Sequence, residues 1–172
     1  MSHPFLETLF AYDRWATRSI LAACAELTQE EFERPLNIGP KSLERTLSHL
    51  VSALFFFVDR LDRRAPRPRL EKDGRARTAA ELLDLFAQAD REFTAAVTRT
   101  IETHALTDIL NWTSTDKGPI DPADQITFAV ALAQMIDHGI QHRTQAADML
   151  ELLGKDLPHE LSPFEWAEAQ RQ

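Results

Sequence analysis

The sequence predicts an all-α protein, a four-helix bundle with long crossover connections in a single domain spanning residues 1–172. Three observations predict it. Four long stretches repeat apolar residues at three- and four-residue spacing, as helices with one buried face do. No stretch alternates apolar and polar residues for long enough to build a sheet. Glycine is scarce, 5 of 172 residues, too few for a glycine-rich β fold.

The first stretch, residues 3–26, places Phe5, Leu9, Tyr12, Ala16, Ile20 and Ala23 on one face, and Pro4 suits its first turn because its missing N–H has no helical partner there. Thr28 and Glu31 form a capping-box pair that opens a short turn over 29–33. Pro35 and Gly39-Pro40 then make a loop. The second long helix, 42–63, carries the seam Leu43, Leu47, Leu50, Leu54, Phe57 and Leu61 in steps of four and three. Phe55, Phe56 and Val58 widen its apolar arc, so this helix is expected to be buried on more than one side. Residues 64–77, with Pro66, Pro68 and Gly74 among charges, read as an exposed loop.

Thr78 and Glu81 form a second capping box before the third helix, 79–102, whose inward face is Leu82, Leu85, Phe86, Ala89, Phe93, Ala96 and Val97. Residues 111–120 read as a loop with room for a short extended pair. Asp121-Pro122 is the expected start of the fourth helix, 123–153, ended by Gly154. At ~1.5 Å per residue that helix spans roughly 46 Å, and Gly139 is the expected point of a bend. The tail carries one short helix over 164–169.

Composition excludes several functions. Lys plus Arg is 19 and Asp plus Glu is 27, so 19 − 27 leaves a net charge of −8. With no basic stripe, no nucleic-acid partner is expected. The strongest apolar run, residues 50–58, is interrupted by Ser52 and falls far short of the ~20 residues a membrane span needs, so no membrane partner is expected either. The N-terminus has no basic segment followed by an apolar one, and the lone Cys24 cannot form an internal disulfide; both favour a cytoplasmic location. There is no phosphate-cradling glycine loop and no nucleophile-elbow serine. Cys24 reads as a small buried residue, and the acidic residues read as solvated outer faces.

The chemistry-bearing residues are histidines. His138 and His142 lie one turn apart on the fourth helix, so their imidazoles share a face and can chelate one ion. Gly139 follows His138, so the metalloprotease pattern with its built-in glutamate base is absent. The stripe Ala131, Gln134, His138, His142, Gln145 and Met149 carries less charge than a solvated face, which favours a bundle-interior position lining a pocket. His49, beside the apolar seam of the second helix, is a candidate third ligand; taken alone it reads as a hydrogen-bonded core histidine. Three imidazoles with an open position match a catalytic zinc site, and imidazole suits nickel, iron and copper as well. His3, His104 and His159 read as solvated. Tyr12, Trp15 and Gln134 are pocket candidates. Asp137 and Gln141 point away from the histidine face, and Arg143 reads as a salt-bridge partner for another helix.

Three motifs in order carry a family resemblance over nearly the whole chain: Tyr12-Asp13-Arg14-Trp15-Ala16, the run from Ser42-Leu43 through Thr46-Leu47-Ser48-His49, and His138-x-x-x-His142-Arg143-x-Gln145. The chain resembles the DinB family of metal-dependent proteins. The resemblance implies a four-helix bundle, a divalent metal (zinc or nickel) held by His49, His138 and His142, and a homodimer. Relatives that use a low-molecular-weight thiol imply a transferase or hydrolase-like enzyme activating thiol or water against a small-molecule electrophile. The alternative is a metal- or ligand-binding protein without turnover. Thr144 stands where the family often has glycine, a departure expected to touch the packing behind the site.

Overall fold

A computed structural model describes residues 3–111, 125–157 and 160–171. Its helices are α1 (Pro4–Cys24), α2 (Gln29–Glu33), α3 (Leu43–Leu61), α4 (Ala79–Thr103), α5 (Phe128–Leu152) and α6 (Pro163–Ala169). Around the bundle the order is α1, α4, α3, α5. Helix α3 packs on α4 and α5, and α1 packs on the same two, while the diagonal pairs α1–α3 and α4–α5 have little contact. The connections from α1 to α3 and from α4 to α5 therefore cross the bundle. Helix α3 sits deepest, with its leucine seam, Phe55, Phe57 and Val58 turned into the core. The apolar width read from its sequence is thus used inside this chain. Phe56 is half-buried beneath the guanidinium groups of Arg60 and Arg69.

Local sequence accounts for most helix ends. The capping boxes at Thr28–Glu31 and Thr78–Glu81 both form, and Ser162–Glu165 makes a third ahead of α6. The fourth long helix differs from expectation. It begins at Phe128, where Thr127 accepts a hydrogen bond from the Val130 amide. Residues 125–127 instead form β2 (Gln125–Thr127), antiparallel to β1 (Ile109–Asn111), with Ile109 opposite Thr127. The incoming chain supplies the partners that the first helical amides need: Phe128 donates to the Asp108 carbonyl and Ala129 to that of Leu106, both at 2.9 Å. The proposed cap at Asp121-Pro122 lies outside the described residues, as does His159.

Helix α5 runs unbroken through Gly139. The glycine marks a close approach. A Cβ there would sit 2.8 Å from Asp13 Oδ1 and 2.9 Å from Arg143 Nη1. These two side chains form a buried ion pair at 2.5 Å, and Arg143 Nη1 also donates to Thr17 Oγ1 at 3.1 Å. Burial raises the Asp13 carboxyl above its ordinary range, against the opposing pull of Arg143. The pair explains why α1 buries Asp13, Ala16, Thr17, Ile20, Leu21 and Cys24, a face rotated from the apolar one that includes Phe5. Phe5 itself is 73% exposed.

The segment after α3 is a strap, not a free loop. Asp59, 1% exposed, accepts from the Arg67 amide at 2.8 Å and from the side chains of Arg64 and Arg67. Arg67 also reaches Glu92 on α4. Burial works to raise the Glu92 carboxyl, but hydrogen bonds from Gln88, Arg67 and Arg64 overcome it and hold it at about 2. A 3₁₀ turn at Leu70–Lys72 docks on α3 through the Leu70 amide and Ser52 Oγ, 2.7 Å apart. Arg77 is buried and ties the strap's end to the Leu70 carbonyl, Asp73 and Glu44. Asp13, Glu44 and Asp59 are therefore buried polar anchors, against the expectation that acidic residues only solvate outer faces.

Removing one member of a buried pair leaves an uncompensated charge. Arg143→Leu is expected to lower unfolding stability by ~3–5 kcal/mol in urea titration. Asp13→Leu combined with Arg143→Leu should lose clearly less than the single variant.

Candidate metal centre

His49 lies on α3, and His138 and His142 lie one turn apart on α5, the neighbouring helix. Packing of α3 on α5 brings the three rings together. Their centroids are 4.4 to 5.0 Å apart, and one ring nitrogen from each lies within 4.8 Å of the others. The Nε2 atoms of His49 and His138 are 3.0 Å apart. Among the described residues this is the group of histidine, cysteine and acidic side chains close enough to hold a metal ion.

Two neighbours set which ring nitrogens face the centre. Glu71, on the 3₁₀ turn of the strap, is 3.1 Å from His49 Nδ1. A carboxylate accepts only, so Nδ1–H donates to it, which leaves Nε2 as the nitrogen turned toward the other two rings. Burial works to raise Glu71, but the hydrogen bonds it accepts, that of His49 first, hold its carboxyl below the ordinary range. His142 Nδ1 lies 2.8 Å from Gln145 Oε1, and the amide oxygen likewise assigns the proton to Nδ1. Gly39, at φ +43°, makes room for that amide, since a Cβ there would come within 2.3 Å of Gln145 Oε1. Partners of this kind orient imidazole ligands and raise their basicity.

The protonation state also fits a cation. Burial, then the neighbouring His142 and His49, pushes the His138 imidazole down to about 4. His142 is lowered by burial too. Near neutral pH these rings are uncharged and offer lone pairs. Three imidazoles, two of them with Nδ1 held by a hydrogen-bond acceptor, are a donor set suited to a borderline divalent ion.

The chain matches the DinB family over residues 1–170. The chain belongs to the DinB family. A DinB-like protein from Bacillus cereus ATCC 10987, known from its crystal structure, is similar in fold, with a TM-score of 0.63 at 18% identity, covering 86% of this chain and 90% of that one. No curated protein matches the chain.

The other sequence candidates stand elsewhere. A cavity of about 220 Å³ opens beside His49, lined by Pro40, Arg45, Arg69, Glu71 and Lys72; Tyr12, Trp15 and Gln134 do not line it. The Tyr12 hydroxyl donates to the Leu161 carbonyl at 2.8 Å, and its ring lies 5.9 Å from Arg143 Cζ. Trp15 is half-buried against the core, and Gln134 is exposed. Thr144 is exposed as well, so the close packing behind the site falls to Gly39 and Gly139. Cys24 is buried, which pushes its thiol up to about 12 and leaves it unreactive. Glu71 went unnoticed in the sequence, where nothing in a charged, proline-containing stretch singles it out. Gln145 is legible in the sequence on the histidine stripe and within a motif, but not as the hydrogen-bond partner of His142.

A histidine whose folded pKa is depressed binds fewer protons than its unfolded counterpart, so stability falls as pH drops from the unfolded value of ~6.5 toward 4. Between pH 7 and pH 5 the metal-free protein should lose unfolding stability through His138, by about 1 kcal/mol once solvent screening of this part-exposed ring is allowed for. Urea titrations of His138→Gln at the two pH values should show a much flatter dependence.

Proposed function

We propose that this DinB-family protein is a metal-dependent enzyme. In this reading His49, His138 and His142 hold one divalent cation, zinc or nickel, and the substrate is a small electrophile. One observation carries the proposal: three imidazoles from two helices converge, and Glu71 and Gln145 each hold the Nδ1 side of one ring, which turns its Nε2 side inward. A cation held by three imidazoles supplies Lewis acidity at an open position, which makes a thiolate or hydroxide available near neutral pH. Glu71 and Gln145 hold the Nδ1 side of two rings and fix them, and a cavity of about 220 Å³ opens beside His49. A low-molecular-weight thiol as the nucleophile makes the enzyme a transferase; water makes it a hydrolase.

Elemental analysis of the purified protein should find about one zinc or nickel per chain, falling below a tenth in His138→Ala and His142→Ala. Equal, substoichiometric metal in all three proteins rejects the centre. Turnover of an electrophile with glutathione, mycothiol or bacillithiol should vanish with a chelator and return with metal. Full metal occupancy with no turnover of any thiol or of water points to a binding protein instead.

A homodimer is part of the proposal. Because α3 is spent inside the bundle, the second copy must use another face, and Phe5 and Ile140, 73% and 45% exposed, flank an apolar groove between α1 and α5. Light scattering at micromolar concentration should give twice the chain mass of 19.6 kDa; a monomer removes this part of the reading.

A further inference from the structure

The chain carries a net charge of −8, yet the cavity beside His49 is walled by three cations, Arg45, Arg69 and Lys72, and one carboxylate, Glu71. We propose that this cavity is an oxyanion subsite, which takes the carboxylate or phosphate group of a small substrate and holds it next to the three-histidine centre.

Among the described residues these charges are not spoken for outside the cavity wall. In the strap, Arg64 and Arg67 bind Asp59, Arg75 binds Glu81, and Arg77 binds Asp73. Arg45 and Lys72 have no ion-pair partner among the described residues. The single carboxylate in the wall is committed, since Glu71 Oε1 accepts from His49 and lies 3.7 Å from Arg69. Among the described residues the wall therefore keeps an excess of positive charge that no ion pair balances.

The cations are also placed with little freedom in their backbone. Arg45 precedes His49 by one turn on α3, so the two side chains leave the same face. Arg69 and Lys72 belong to the strap, whose 3₁₀ turn is pinned to α3 by the Leu70 amide and by Arg77. The Arg69 guanidinium is further steadied over the Phe56 ring, 5.3 Å from its centroid. A guanidinium presents paired donors that match the oxygens of a carboxylate or phosphate. At about 220 Å³ the cavity is smaller than the ~300–1,000 Å³ of sites for drug-sized ligands, so it suits a small acid or the charged end of a larger one.

The inference rests on the metal-centre reading for the role of the bound anion, but its binding test does not. Succinate, inorganic phosphate and the neutral succinamide should be titrated calorimetrically into the full chain, metal-stripped and zinc-loaded. At least one anion should bind the metal-stripped protein saturably, and succinamide should not. In the Arg45→Ala/Lys72→Ala double variant, both exposed positions, the anion's Kd should rise about tenfold or more. Raising NaCl from about 20 to about 200 mM should weaken the wild-type complex severalfold, because partly exposed charges are screened. Zinc affinity of the variant should be unchanged or higher, since nearby positive charge has been removed. Whichever anion binds more tightly identifies the group as carboxylate or phosphate. Equal anion affinity in wild type and variant overturns the proposal. So does the absence of saturable binding of either anion, or equal binding of succinamide. Anion binding by a wild-type protein that takes up neither zinc nor nickel would overturn the preceding section's reading and leave this one standing.

Discussion

The rotation of α5 about its own axis is the constraint on which the candidate centre depends, and the buried pair between Arg143 and Asp13 sets it. Successive residues on a helix point about 100° apart. In the bundle, α1 and α3 lie on adjacent sides of α5. Once Arg143 is turned toward Asp13 on α1, its neighbour His142 is turned toward α3, and His138 follows one turn earlier. Gly139 lets this happen at close range, because a side chain there would collide with both members of the pair. One polar contact thus converts a stripe on α5 into a face presented to His49.

The second element is the strap between α3 and α4. A segment rich in arginine and proline could lie anywhere on the surface. It is held instead by Asp59, Ser52 and Glu44, three polar residues of α3 that face inward to meet it. The result is that Glu71 meets His49 from the side opposite α5. The strap also delivers Arg69 and Lys72 to the mouth of the same site. Orientation of an imidazole and the charge of the adjoining cavity therefore come from one short piece of chain.

Much of this was legible in advance. The four long helices follow from apolar periodicity, and the capping boxes at Thr28 and Thr78 mark two starts to the residue. The i, i+4 histidine pair is visible because helix geometry alone puts it on one face. Other readings failed for identifiable reasons. Periodicity turns Phe5 inward because it registers hydrophobicity and not the ion pair that buries Asp13 and Thr17 in its stead. At Gly139 a sequence shows the missing side chain and not the Asp13–Arg143 pair that fills its space. The start of α5 was set too early because Asp121-Pro122 is a good local signal, while the pairing of β2 with β1 is made with residues before the connection.

The sequence by itself determined the helices, their apolar faces and the spacing of His138 and His142. Those properties depend on interactions within a few residues, which backbone geometry repeats in any context. Only the tertiary structure decided that His49 joins them, that Glu71 and Gln145 orient the rings, and that Arg143 pairs with Asp13. Most of these contacts join residues tens of positions apart, and even that of Gln145 is shaped by Gly39 from another part of the chain. They exist because the whole core packs in one arrangement, and no local rule specifies which partner a buried polar group will meet.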